Sequence, residues 1–160
     1  MNKLKIGNLE EMKMLNKNEI DKRAYEYDKA MWLQELEKKS TLTIYKQHKT
    51  DIKEENFYDN SYKSILMYRA RSNTLQLGWR KRYIREDVSC QLSRTGKEES
   101  LEHFLIQCRA LEDIRIHFGL QDPQLSKILL FEEDGEIEKY KELIKCLWKK
   151  REQLSEERRT

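Results

Sequence analysis

The chain carries "CQLSRTGKEESLEHFLIQC" from Cys90 to Cys108, which spaces Cys90, His103 and Cys108 as C-x12-H-x4-C. Two thiols and an imidazole are donors suited to zinc, and a C-x2-C turn facing a helix that carries His and Cys is a common way to close a tetrahedron. The place of the second thiol in such a turn is held by Ser93, whose neutral hydroxyl is a much poorer ligand. His103 and Cys108 lie five residues apart, about 140° around an ideal helix, so they meet at one ion only if the helix ends or distorts between them. Two readings stay open. One is a zinc site with three protein ligands, or one completed by water. The other makes Cys108 a buried apolar thiol, His103 a flanking or capping residue and Cys90 a loop thiol, with no metal. The residues favour the second. His117 lies too far beyond Cys108 to be an obvious fourth ligand, and Cys146, between Lys145 and Leu147, reads as a packing residue.

A second group of residues suits nucleic acid. Seven bases against two acids fall between Ser61 and Cys90, in a chain whose net charge is only +3. Arg69, Arg71, Arg80, Lys81, Arg82 and Arg85 offer contacts to phosphates, and Trp79 and Tyr83 offer rings on which unpaired bases stack, a combination suited to single-stranded RNA or DNA. The competing reading makes the two aromatics core anchors and the bases a solvated surface, some of them paired with Glu86 and Asp87.

Other chemistry is missing. There is no glycine-rich phosphate loop, no H-E-x-x-H and no serine elbow, and the acidic runs "YEYD" and "FEED" are explained by solvation or capping. Three cysteines without a framework spacing point to a reducing, intracellular setting, nuclear or cytoplasmic. No run reaches the roughly 18 apolar residues of a membrane span. Charged and hydrophobic residues are 38% each, with five Gly and one Pro, which favours helices over sheet.

The elements that must position these groups are read from periodicity. Residues 1–17 read as a flexible leader. Asn18, with Asp21 three residues on, caps a helix to about Lys39 with Ile20, Ala24, Tyr27, Met31, Trp32 and Leu36 on one stripe. Ser40 or Thr41 opens a second helix with Leu42, Tyr45, Lys49 and Ile52 on a face, and "YDNS" at Tyr58–Ser61 is a turn. A third helix follows with Tyr62, Ile65, Leu66 and Arg69 aligned, then a connector or short helix through "NTLQLGW". Leu101, Phe104, Leu105, Cys108 and Leu111 form the next stripe, ending near Gly119. Asp122 followed by Pro123 predicts an N-cap and first helical residue, with a short helix through Leu130. Ile137, Tyr140, Ile144, Leu147, Trp148, Arg151 and Leu154 predict a long last helix.

From "ILMYRARSNTLQLGWRKRY" through the Cys loop to "LEHFLIQC" the chain resembles the zinc-binding region that follows the polymerase domain in reverse transcriptases of non-LTR retrotransposons. The likeness extends more loosely upstream through "WLQELEKKSTLTIYKQHK" and "FYDNSYKS", covering about Trp32 to Arg115. It implies a Cys-Cys-His-Cys zinc region that helps bind the element's RNA or target DNA, with polymerase and endonuclease residues in upstream domains that do not fit in this chain. This copy is degenerate at two places. Ser93 replaces the second Cys, and Arg109 stands where a Pro commonly follows the last Cys. Proline would stop the helix at Cys108, and Arg109 predicts that the helix runs on.

The expected fold is therefore all-α, a single domain of about six helices with the Cys/His loop-helix unit in its middle, divided as a leader at 1–17, a reverse-transcriptase-like region at 18–119 and two C-terminal helices at 120–160. The expected function is non-catalytic, weak and sequence-nonspecific RNA or DNA binding by a fragment or descendant of such an enzyme. A helical module for protein interaction or self-association is the alternative.

Overall fold

The computed structural model describes residues 16–84, 87–132 and 135–157, with backbone alone for Lys81, Arg82 and Tyr83. The expected leader therefore lies almost wholly outside the described residues. Within them the fold is helical without strands, as expected. An isolated antiparallel bridge pairs Ser89 with Glu98.

Helix α1 spans Lys17–Glu37. Its cap is Asn16, two residues before the expected Asn18. The Asn16 side chain accepts from Glu19 N at 3.0 Å, and Glu19 returns the bond to Asn16 N at 3.1 Å, so two orphan donors of the first turn are satisfied together. Of the expected apolar stripe only Leu36 is buried.

A 3₁₀ turn at Ser40–Leu42 leads into α2, Thr43–His48. This helix ends earlier than the expected face through Ile52 requires, because Lys49 is extended and its ammonium is held by Glu55 at 2.7 Å. Asn60, at φ 60°, completes the turn, and Ser61 caps α3, Tyr62–Arg71.

The buried face of α3 is Ser64, Leu66, Met67, Ala70 and Arg71. Of the expected alignment of Tyr62, Ile65, Leu66 and Arg69, Leu66 alone lies on this face, and Tyr62, Ile65 and Arg69 are exposed. This face packs against a neighbouring helix. That neighbour is α6, Ile137–Glu156, whose Tyr140, Leu143, Ile144, Leu147 and Trp148 are buried.

Between α3 and α6 lie a 3₁₀ turn at Gly78–Ile84, a π-helical turn at His103–Gln107, α4 at Glu112–His117 and α5 at Leu125–Ile128. Gly119, at φ 70°, ends α4 as the sequence predicts, with Leu120 N donating to Arg115 O. The Asp122–Pro123 expectation is corrected. Gln124 is the N-cap, and α5 starts at Leu125 and runs only to Ile128. Leu130 then takes φ 55°, a conformation costly for a branched residue, and its carbonyl is held by the Arg71 guanidinium at 3.1 Å.

One core holds the elements together: Leu66, Met67 and Ala70 of α3, Phe104 and Leu105 of the π turn, Ile128 and Leu129 of α5, and the inner face of α6. No helix among the described residues is long and apolar enough to cross a membrane.

Candidate metal centre

The Cys loop is set by short polar bonds. Asp87 accepts from Ser89 N at 2.8 Å and from Gln91 at 2.9 Å, and Cys90 N donates to Lys97 O at 2.7 Å. Arg94 and Gly96 both have positive φ, which turns the loop back tightly. Ser93 N, three residues after Cys90, donates toward Cys90 Sγ at 3.5 Å. The loop thus presents the sulfur of Cys90 and the hydroxyl of Ser93 to the same side.

The helical side of the site follows Ser100, whose hydroxyl accepts from His103 N at 3.1 Å. The segment then widens. Cys108 N donates to His103 O at 2.7 Å, a five-residue bond, and Cys108 itself is extended at φ −66° and ψ 114°. An uninterrupted helix through Arg109 was expected here, and the structure corrects this. The helix ends at Cys108 even though Arg109 is not a proline. The buried Arg115 guanidinium donates to Cys108 O, and Leu111 N donates to the same carbonyl at 3.1 Å. The next turn is 3₁₀, Arg109–Leu111.

Ending the helix at this point brings Cys90, His103 and Cys108 together. Their candidate ligand atoms all lie within 4.8 Å of one another, and all three residues are buried. Cys90 Sγ and Cys108 Sγ are 3.8 Å apart. The edge of a tetrahedron with arms of about 2.3 Å, the usual zinc–sulfur bond, is also about 3.8 Å. Ser93 Oγ lies 3.4 Å from His103 Nε2, close to the edge of about 3.3 Å given by zinc–nitrogen and zinc–oxygen arms near 2.0 Å. His103 Nδ1 is buried without a hydrogen-bond partner, a cost that proteins rarely leave unmet.

The two thiols act as a pair. Cys90 is drawn below the ordinary thiol value first because Cys108 bonds to it, and Cys108 is pushed above that value by the same contact and by burial. A divalent cation that takes both sulfurs as thiolates displaces any proton they carry. The arrangement can hold a metal ion.

Cys108 also lies in the core with Leu101, Phe104, Leu105 and Leu111, as the reading of a buried apolar thiol expects. His117 is exposed on α4 and lies outside the cluster. Cys146 is half-buried on α6, with its sulfur 4.0 Å from Glu142.

The basic residues divide. Arg69 is exposed on α3. Arg71, two residues on, is 1% exposed and points inward. It donates to Leu129 O and Leu130 O, both at 3.1 Å, and pairs with Glu55 at 2.5 Å. Its guanidinium stands 4.2 Å from the Phe131 ring centre, 5.0 Å from Phe57 and 5.4 Å from Tyr45. A side chain so enclosed has no face for a phosphate, and the expected contact at Arg71 is withdrawn. Trp79 packs against the core, and Arg80, half-buried, lies over its ring at 5.6 Å. The side chains of Lys81, Arg82 and Tyr83, and all of Arg85, lie outside the described residues.

Glu99 joins this basic turn to the metal loop, and sequence reasoning missed it. Its buried carboxylate accepts from Gly78 N at 2.6 Å and takes a forked pair with Arg151 of α6 at 2.7 and 2.8 Å. Its backbone carbonyl accepts from Trp79 N at 3.3 Å. Gly78 has no alternative here, since a Cβ would stand 2.9 Å from Val88 O and 3.0 Å from Glu99 Cβ. A glycine entering a basic run was the only available signal.

No protein-family model, curated protein or solved structure matches the chain.

Proposed function

We propose that this chain is a non-catalytic helical module in which Cys90, His103 and Cys108 hold zinc, with the Ser93 hydroxyl or a water as fourth ligand. The observation that carries the reading is the paired spacing at the site, 3.8 Å between the sulfurs and 3.4 Å between Ser93 Oγ and His103 Nε2. The donor set selects zinc over magnesium or calcium, which prefer oxygen. The ion would tie the Cys loop to the end of the π turn, where the chain otherwise relies on Arg115. Titration with cobalt(II) tests this. One equivalent should give an intense tetrahedral spectrum with a thiolate charge-transfer band that zinc abolishes. An octahedral cobalt spectrum, or the same band after both Cys90→Ser and Cys108→Ser, contradicts it.

The role we assign to this module is weak contact with single-stranded RNA or DNA through Arg69, Arg80 and the basic turn, as in the retrotransposon reverse-transcriptase region the sequence resembles. Glu99 supports this reading because it fixes that turn to the metal loop. Binding should weaken steeply with salt and fall with Arg80→Ala and Arg82→Ala. Absence of binding at low salt, or binding indifferent to both substitutions, contradicts it. A second reading, protein interaction, draws on α1, where Tyr25, Met31 and Leu33 are each 40–43% exposed. Light scattering across a concentration series tests for self-association, and a mass that stays monomeric removes it.

A further inference from the structure

We propose that Cys90 and Cys108 are also a site of two-electron oxidation by hydroperoxides, forming an intramolecular disulfide that excludes metal. The sulfurs are 3.8 Å apart with no residue between them, and a disulfide requires about 2.05 Å, so the approach needed is small. Both partners sit where the backbone can yield. Cys90 lies in a loop secured by an isolated bridge, and Cys108 is the extended residue between a π turn and a 3₁₀ turn. Cys90 and Cys108 are each 1% exposed, so the loop must open locally at its bridge for peroxide to reach Cys90, after which the bond closes within the core.

The chemistry closes with hydrogen peroxide as the oxidant. The Cys90 thiolate, whose sulfur already accepts from Ser93 N, attacks one peroxide oxygen. The O–O bond breaks, a sulfenic acid forms on Cys90, and the departing hydroxide is protonated to water. The Cys108 sulfur then attacks Cys90 Sγ. The S–S bond forms, the S–O bond breaks, and the second hydroxide leaves as water with the Cys108 proton. Two thiols lose two electrons and one peroxide becomes two waters. Cys146 does not compete, because its sulfur faces the Glu142 carboxylate and no second thiol stands near it among the described residues.

Because a disulfide has no thiolate to give, metal and disulfide are alternative clasps for the same loop and helix end. This exclusion rests on the zinc reading. The disulfide does not. The test therefore has two arms, both on the full chain. In the first, chelator-treated reduced protein is exposed to hydrogen peroxide, alkylated and mapped by mass spectrometry. A Cys90–Cys108 linked peptide in monomeric protein, with Cys146 alkylated, is expected, and Cys146→Ser should leave it intact. Cys90 recovered mainly as sulfinic or sulfonic acid, or a dominant link through Cys146, overturns the proposal. In the second arm, zinc-loaded protein should oxidise at least several-fold more slowly and release one zinc per disulfide formed. Zinc retained alongside the disulfide overturns the exclusion. Protein that takes up no zinc but forms the link in the first arm removes the zinc reading and leaves the oxidation site standing.

Discussion

Arg69 and Arg71 are the same residue type two positions apart, and they have opposite fates. What separates them is the phase of α3, which buries Arg71 with Leu66, Met67 and Ala70 and leaves Arg69 outward, and not the local sequence of bases. A charge pattern alone could not reveal it. Arg71 instead fastens Glu55 and the strained Leu129–Leu130 corner while three aromatic rings enclose its guanidinium. Arg71→Ala should therefore cost ~2–4 kcal/mol, read from the urea midpoint, because it leaves two carbonyls without their donor and Glu55 with Lys49 alone. Arg69→Ala should leave stability within about 0.5 kcal/mol. Equal, small losses at both positions would contradict the burial argument. The same contrast holds at the metal centre. The donor types were legible at Cys90, His103 and Cys108, but their convergence was not, because it depends on the helix ending at Cys108, where the carbonyl accepts from the buried Arg115.

At the scale of elements, the existence of α1, α3 and α6 follows from periodicity, whereas the caps and buried faces of α1 and α3 follow it only in part. Asn16 outcompetes Asn18 as a cap because Glu19 can return its bond. Asp122 and Pro123 do not start α5, which is a single short turn held between Leu120 and the Arg71 clamp. Two junctions between elements can be tested. At the entry to α3, Asp59 accepts from Ser61 N at 3.0 Å and Ser64 Oγ at 2.5 Å, and pairs with the buried Lys141 of α6 at 2.9 Å. The bonds from Ser61, then Ser64 and Lys141, hold its carboxyl well below the usual carboxylate range. A depressed folded value means that the unfolded chain takes up the proton first. The stabilisation is complete above the unfolded value of about 4 and is lost as pH falls below it. Asp59→Asn should lower the urea midpoint at pH 7, and the gap to the parent should narrow below about pH 4. A gap that is constant or widens in acid would contradict this. At the other junction, Gly78→Ala forces a Cβ against Val88 O and Glu99, and should cost about 1–3 kcal/mol by thermal melting. A neutral effect would mean that the basic turn is not tied to the metal loop as described.

At the scale of the molecule, one core joins every helix from α3 to α6, and the Cys loop is its least regular part. The loop is secured by its bridge, the polar bonds of Asp87, the Glu99–Arg151 pair and the contact between Cys90 and Cys108. All-α architecture was legible because hydrophobic spacing of three and four persists along most of the chain. The site was only half legible, because its three donors are brought together by tertiary contacts and a helix end, and no spacing rule contains them. The most direct test of the account is metal content and thermal stability measured together on protein purified without chelator. It predicts near-stoichiometric zinc, a melting temperature that falls when the metal is stripped and returns when zinc is restored, and tighter retention in Ser93→Cys, where a thiolate replaces the hydroxyl 3.4 Å from His103. Metal-free protein whose melting temperature ignores both chelator and added zinc would contradict it.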